Sequence, residues 1–315
     1  MNNFKRKSVA IILLNWNAYN DSFECLKSLE NLDYPSYSVF LVDNDSQDDS
    51  FVKLKADYQI GKFNINITFI QSGGNIGFAG GNNVAIEKAY KEGFSYFWLL
   101  NNDTTVEKSA LTKLVDEIEH NSKIGIVGSK ILYYGTNKIW FAGGKLNTIS
   151  GFTKHVGFEE EDKGQFDKIR EVDYITGCSL LFKQELLEKV GFLPEDYFLY
   201  FEETDWNIKV SKNGFKILFV PESIVYHKVS SSSGGDKSPS PFIPYYFLRN
   251  RYVMIKRNGG LISQKLGLIF LFIPSVKYIA KVLLLNQNNK IKRLKYIFLG
   301  ISDGIKGKMG SHPLI

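Results

Sequence analysis

Two short stretches concentrate the side chains able to do chemistry. In YFWLLNNDTTV (96–106), five large apolar residues run straight into Asn101, Asn102, Asp103 and two threonines. A carboxylate at the end of a buried strand, with amide and hydroxyl oxygens beside it, suits a hard divalent cation such as Mg²⁺ or Mn²⁺. Such an ion takes few ligands from protein and the rest from a phosphate-bearing substrate. The same residues could instead cap the following helix. In YFLYFEETDWNIKV (197–210), Glu202, Glu203 and Asp205 sit among aromatics. Burial raises a carboxyl pKa and so favours a general base, although acids in a first helical turn also complement the macrodipole. His227, at the end of VPESIVYH, is either a further metal ligand or a structural histidine.

Two more polar clusters follow apolar runs. GGNIGFAGGNN (73–83) repeats glycine at 74, 77 and 80 ahead of a helix-like segment. Glycines at that spacing let the backbone approach a ligand and aim N–H groups at an anion, or they make a tight strand-to-helix connection. The stretch is neither G-x-G-x-x-G nor a loop ending in Gly-Lys-Ser/Thr, so neither dinucleotide nor P-loop chemistry follows. Asp43-Asn44-Asp45-Ser46 reads as an Asx turn or as a contact to a nucleobase edge.

These clusters need a frame to bring them together. Apolar, β-branched runs occur at 9–14, 37–43, 65–71, 96–101 and 124–129. Helix-like stretches lie between them at SFECLKSLENL, NNVAIEKAYKEG and VEKSALTKLVDEIEH, with Gly93 as a C-cap. Continuous apolar strands alternating with helices predict an α/β, Rossmann-like, mostly parallel sheet covered on both faces. Ligands of such sheets bind beyond the carboxyl ends of the strands, where Asn15–Asn17, Asp43–Ser46, Gln71–Asn75 and Asn101–Asp103 would converge. Past residue 129 the pattern is mixed and predicts antiparallel additions, with TGCSLLFK and FKILFVP as strands. QELLEKVG and EETDWNIKVSKNG read as helices closed by Gly191 and Gly214.

The 315 residues, 44% hydrophobic and 23% charged, exclude a disordered or fibrous chain. Cys25 and Cys178 are too few for a disulfide framework, which fits a reducing compartment. The run 9–14 is shorter than a secretory h-region. The net charge of +6 is unevenly spread: from Ser240 onward there are 13 Lys/Arg and one acid, leaving 26 basic and 32 acidic residues before it. A basic tail on an acidic body suggests a polyanionic partner surface. Between Lys265 and Lys277 lie 11 uncharged residues including Pro274, fewer than the about 20 a spanning helix needs. That segment predicts a helix in the interface of an anionic membrane, or a helical pair packed on the catalytic domain or a second subunit. No nucleic-acid-binding module is present, and no nucleic-acid partner is expected.

Taken in order, VAIILLNWN, LVDNDSQDD, GGNIGFAGGNN, WLLNNDT, ITGCSLLFKQELLEKVGFLPEDYFLYFEETDWNIKVSKNGF and VPESIVYH resemble the inverting family-2 glycosyltransferases of the GT-A fold. The similarity covers roughly residues 8–235 and is greatest to the branch of rhamnosyl- and galactofuranosyltransferases. It implies a catalytic domain over 1–235, with a nucleotide-binding half to about 130 and an acceptor half from about 131. Residues 236–315 follow as a basic, mainly helical, amphipathic region. By resemblance, Leu14, Trp16, Asp43 and Asn44 contact the nucleotide, and Asn75, Gly77 and Asn102 belong to the donor site. Asp103 matches the metal-binding aspartate, with His227 and Asn101 beside it, and Glu203 takes the place of the catalytic base ahead of Glu202 and Asp205. Two departures stand out: Asn101 and Asn102 replace aspartates common in the family, and the base is glutamate rather than aspartate.

The implied reaction moves a sugar, dTDP-L-rhamnose being the first choice of donor, to a hydroxyl of a saccharide or lipid-linked saccharide with inversion. The setting would be bacterial surface polysaccharide synthesis (capsule, O-antigen or cell wall), in the cytoplasm or peripherally on the inner membrane face. A UDP-sugar enzyme or an inactive nucleotide-sugar-binding protein is the alternative, and a homo-oligomer is compatible with either. A pyrophosphorylase would need a Gly-rich, basic loop after strand one, which LNWNAYND lacks. SSSSGGDKSPSP (230–241) is predicted to act as a lid over bound donor.

Overall fold

Val9–Leu13 are fully buried, so side chains on both faces of the first strand are covered, as a continuous apolar run requires. A computed structural model describes residues 7–229, 240–285 and 288–312. The elements begin β1 (Val9–Asn15), α1 (Tyr19–Leu29), β2 (Tyr37–Asp43), α2 (Ser50–Gln59), β3 (Ile67–Gln71), α3 (Gly77–Lys91) and β4 (Tyr96–Asn101). There follow β5 (Thr104–Val106), α4 (Ala110–Glu119), β6 (Ile124–Tyr133), β7 (Ile139–Phe141), β8 (Gly144–Asn147), β9 (Phe152–His155), β10 (Arg170–Glu171) and β11 (Ser179–Lys183). The remainder is α5 (Glu185–Lys189), α6 (Glu202–Lys212), β12 (Lys216–His227), α7 (Ile243–Asn258), α8 (Leu261–Leu284) and α9 (Lys290–Lys306).

The main sheet runs β10-β12-β6-β11-β4-β1-β2-β3. β4, β1, β2 and β3 are mutually parallel. β11 is inserted antiparallel between β4 and β6, and β5, β7 and β10 add further antiparallel pairs. The α/β sheet with antiparallel additions past residue 129 is therefore present as expected. Strand order turns around at β4-β1, which puts the ends of those two strands, Asn101 and Asn15, at the crevice where such sheets bind ligands.

Three local expectations are corrected. Sequence reading placed no helix between β2 and β3, where α2 lies; its polar, lysine-rich composition masks the period, and only Ser50, Leu54 and Asp57 are buried. The glycine-rich stretch is not all loop, because α3 begins at Gly77 and contains Gly80 and Gly81. A Cβ on Gly81 would lie 2.4 Å from a Leu14 methyl, so glycine is what lets α3 pack onto β1. Finally, α8 continues through Pro274 for 24 residues, and its apolar window, with a mean hydropathy of 1.8, is long enough to cross a membrane by length and composition. Counting only the stretch between Lys265 and Lys277 underestimated it, since isolated lysines do not end a helix. The proposed lid over 230–241 lies, for 230–239, outside the described residues.

Candidate active site

A buried network closes the carboxyl ends of β1 and β2. Asn15 Nδ2 donates to Asp43 Oδ1 (2.9 Å) and Ser50 Oγ (2.9 Å), while Ser22 Oγ donates to Asn15 Oδ1 (2.8 Å). Asn102 Nδ2 donates to the same Ser22 hydroxyl (2.8 Å). Asp43 and Asn102 thus fix the frame of the crevice through bonds inside the protein. Asn15, which organises them, was placed at the converging strand ends by the sequence but given no role of its own, because a strand-end asparagine does not show its partners. Asn44 ties the next layer: Nδ2 donates to Asn75 Oδ1 (3.1 Å) and to the Gly77 carbonyl, and Oδ1 accepts from the Ile76 N–H. Asn75 itself is exposed, as is Trp16, while Leu14 is covered by α3. The open edge is therefore Trp16, Asn75 and the turn entering α3.

Asp103 follows β4, and His227 ends β12, whose pairing with β5 sets His227 opposite Thr104. His227 Nε2 lies 3.1 Å from Asp103 Oδ1, and both side chains are largely buried. Burial opposes a charged imidazole, but Cys178 and Asp103 outweigh it and hold His227 well above the ordinary histidine range. His227 Nδ1 is buried without a hydrogen-bond partner among the described residues. Trp140 packs edge-on to the ring at 4.5 Å and fixes its plane. Asp103 caps no helix: β5 follows it directly, and its carbonyl accepts from the Lys228 N–H (2.9 Å).

Asp103 and His227 are the residues that could hold a divalent cation. They supply one carboxylate and one imidazole with an orphaned nitrogen, and among the described residues no third His, Cys, Asp or Glu joins them to make a metal cluster. A two-ligand protein set suits an ion whose other positions are filled by diphosphate oxygens and water. Asn101, two residues before Asp103 at the end of β4, is half-buried.

The three acids of α6 separate in role. Asp205 accepts from Tyr197 Oη (2.9 Å) and Asn258 Nδ2 and faces Arg257, so its oxygens are engaged within the protein. Glu202 is buried with Oε2 lacking a partner among the described residues, and desolvation, then the charge of Glu203, pushes its pKa well upward. Glu203 is half-buried. Burial raises its pKa, and the N–H groups of Glu203, Thr204 and Gly177 work in the opposite direction. Of the three, Glu203 alone combines access with a raised pKa.

The loop before α6 is held in an unusual shape. Phe198, Tyr200 and Phe201 all have φ between 67° and 73°, costly for bulky residues unless the surroundings impose it. Fully buried Asn250 of α7 donates to the carbonyls of Tyr197, Leu199 and Tyr200. Arg249, equally buried, donates to the Tyr197 carbonyl (2.7 Å). On the other side, the Phe198 carbonyl accepts from the Phe78 N–H (2.8 Å), and a Cβ on Gly77 would sit 2.3 Å from that oxygen. The glycine-rich turn and the acid-bearing loop therefore touch. Gly177 joins them to Asp103 and His227: a Cβ there would meet Phe78 and Glu203, and its neighbour Cys178 interacts with His227 and accepts the Asn101 N–H.

With that geometry in place, comparison with known proteins identifies the lineage. A family model described as "Glycosyl transferase family 2" matches residues 10–191. The chain belongs to glycosyl transferase family 2. Among curated relatives, a "dTDP-rhamnosyl transferase RfbF" of Shigella flexneri is 25% identical over 249 residues, covering 76% of this chain and 78% of that protein. A "low-salt glycan biosynthesis hexosyltransferase Agl10" of Haloferax volcanii is 25% identical over 154 residues, 48% of each chain. This chain thus spans about half the length of the Haloferax relative. Solved structures share the fold. "TarS 1-349" of S. aureus, in complex with UDP-GlcNAc, superposes with TM-score 0.61 at 17% identity, covering 96% and 81% of the two chains. A mannosyltransferase from Pyrobaculum calidifontis in complex with GDP-Man and Mn²⁺ gives TM-score 0.59 at 14% identity, over 97% and 89%. The GT-A fold is thereby that of this family-2 chain. The family model ends before Glu203 and His227, whose roles rest on the geometry above.

Proposed function

We propose that this family-2 chain is an inverting glycosyltransferase that moves a sugar from a nucleoside diphosphate to an acceptor hydroxyl, with Glu203 as general base. The observation that carries the reading is Glu203 itself: a half-buried carboxyl of raised pKa, on a strained loop locked against the glycine-rich turn of the nucleotide-binding half. Residues 10–130 hold the nucleotide, and the segment from 131 through α7 holds the acceptor. Trp16, Asn75 and the N–H groups entering α3 are assigned to the donor, with Leu14, Asp43, Asn44 and Asn102 shaping that crevice from beneath.

Asp103 and His227, with Asn101 alongside, would hold a divalent cation, whose chemistry is to offset the charge developing on the departing diphosphate. Glu203 takes the proton of the acceptor hydroxyl as that oxygen attacks the anomeric carbon from the face opposite the leaving group. One displacement inverts the anomeric centre and calls for no covalent enzyme intermediate. The Gly177, Glu203 and Thr204 N–H groups keep the carboxylate ionised enough to accept that proton despite its burial.

The similarity to an enzyme named as a dTDP-rhamnosyl transferase over three quarters of both chains supports dTDP-rhamnose as donor. A saccharide or lipid-linked saccharide of surface polysaccharide synthesis is the acceptor we infer, handled in the cytoplasm at the inner membrane face. A panel of nucleoside-diphosphate sugars, scored for binding and for hydrolysis with and without Mn²⁺, tests this. Preference for dTDP-rhamnose with metal activation is expected. Preference for a UDP-sugar would replace the donor, and failure to bind any of them would remove the transferase reading.

A further inference from the structure

Helix α8 is inside out by the standards of a surface helix. The side it turns to the protein is mostly small, with Ser263, Gly267, Leu271, Ser275 and Val282 buried. The side it turns outward carries Ile269 (51% exposed), Phe272 (51%), Ile273 (53%) and Val276 (62%). A contiguous outward apolar face of this kind marks a contact with something apolar. Lysines 265, 277 and 281 are exposed on the same helix. A second copy of the chain would set these like charges against one another, whereas anionic lipid would meet both the apolar face and the charges.

This face leads into an open-sided cavity of about 530 Å³ lined by the β8–β9 hairpin, Phe201, α7 and α8. Phe152, Phe201, Phe247 and Ile273 give it apolar walls, and Ile273 belongs at once to the cavity and to the outward face. Its charged lining residues are all cations, Arg251, Lys277 and Lys281. Arg251 is fixed there by donating through Nε and Nη2 to the Ser150 carbonyl (3.1 and 2.9 Å). Among the described residues neither lysine lies within ion-pair distance of an acid. Aromatic walls exclude a bare ion as the natural occupant, and three cations without an acid exclude a neutral hydrocarbon. The two together fit an anionic head on an apolar chain.

We propose that this cavity binds a phosphate-headed lipid, its head at Arg251, Lys277 and Lys281 and its chain running out along the exposed face of α8. Phe201, one wall of the cavity, immediately precedes Glu202 and Glu203, so a sugar linked to that phosphate would be delivered to the loop bearing the base. The proposal names the acceptor class of the active site and rests on the transferase reading.

Equilibrium binding of the water-soluble probe farnesyl diphosphate to the full chain, with saturating nucleoside diphosphate to block the donor site, tests it. Vesicles of phosphatidylcholine with and without phosphatidylglycerol form the second arm. The exposed pair Lys277→Glu/Lys281→Glu and the separate variant Ile273→Asp should each weaken binding at least tenfold and leave donor binding unchanged. Such loss for farnesyl diphosphate supports an isoprenoid-phosphate lipid as the occupant; the same loss confined to phosphatidylglycerol vesicles identifies a membrane phospholipid, which brings no sugar to the base, and overturns the acceptor assignment. Displacement of the probe by equimolar inorganic diphosphate, or binding in both arms that ignores the variants, overturns the proposal. Because no turnover is read, that failure would leave the donor and base assignments standing.

Discussion

Asn250 Nδ2 lies 2.7 Å from the carbonyl oxygen of Leu199, which joins the basic C-terminal region to the loop that carries the candidate base. The same amide reaches the Tyr197 and Tyr200 carbonyls, at 3.1 and 2.9 Å. Three carbonyls of a strained segment are thus satisfied by one side chain on α7. Replacing it by alanine takes that donor from the Leu199 and Tyr200 carbonyls, while Arg249 still reaches Tyr197, at a cost of about 1–3 kcal/mol. Asn250→Ala is expected to lower the thermal midpoint and to cut kcat at least tenfold while donor affinity changes little, because the donor edge on β1 and α3 is untouched. Unchanged kcat in a variant of lowered midpoint would make the clamp purely structural.

That coupling marks the limit of what could be read in the sequence. The sheet and its carboxyl-end clusters were legible because each joins a continuous apolar run to an abrupt polar end, whereas Asp103 and His227 were paired only by the resemblance to the family. The division at residue 235 was drawn where the family resemblance ends, and the basic charge from Ser240 onward, which describes only a surface, marked the rest as a tail. Arg249 and Asn250 look like members of a solvated basic tail, yet both are fully buried against the loop before α6. Nor does anything local to Asp205 show that Tyr197 and Asn258 engage its oxygens. Sequence neighbours on a helix point in different directions, and partners arriving from 50 residues away leave no local pattern.

The acids at 202 and 203 give separable pH effects. Burial raises both pKa values. A base must be ionised in the free enzyme, so kcat/KM should fall as pH drops through the raised value of Glu203, above the ordinary carboxylate range. Glu203→Gln should abolish transfer with donor binding kept, and Glu203→Asp should retain the acid limb at a lower rate. Glu202 acts on stability instead. Between its unfolded value of 4.5 and its higher folded value the native state holds the extra proton, so stability is present at low pH and lost as pH rises. Glu202→Gln should therefore raise the midpoint more at pH 8 than at pH 5; an equal gain at both would refute the linkage.

Two glycines of the same stretch should respond differently to alanine. Gly73 (φ +82°) has open space where a Cβ would go, so the substitution incurs only the left-handed backbone cost, about 1 kcal/mol. Gly77 (φ +78°) would in addition drive its Cβ into the Phe198 carbonyl. Gly77→Ala is expected to lose both stability and activity well beyond Gly73→Ala, since relief of the clash must move the loop carrying Glu203. Equal midpoints for the two variants would show that turn and loop are not in mechanical contact.

The proposed cation site rests on two ligands of this chain, Asp103 and His227. If Asp103 and His227 hold the ion only together with a diphosphate, free protein should bind Mn²⁺ weakly and protein saturated with nucleoside diphosphate should bind it tightly. Electron paramagnetic resonance of Mn²⁺ titrated with protein, with and without the nucleotide, reads this without turnover. Asp103→Asn removes the only carboxylate of the pair and is expected to weaken the ternary complex at least tenfold. His227→Gln should weaken it less, as an amide can still donate an oxygen. Tight Mn²⁺ binding by the nucleotide-free protein that survives Asp103→Asn would place the cation elsewhere.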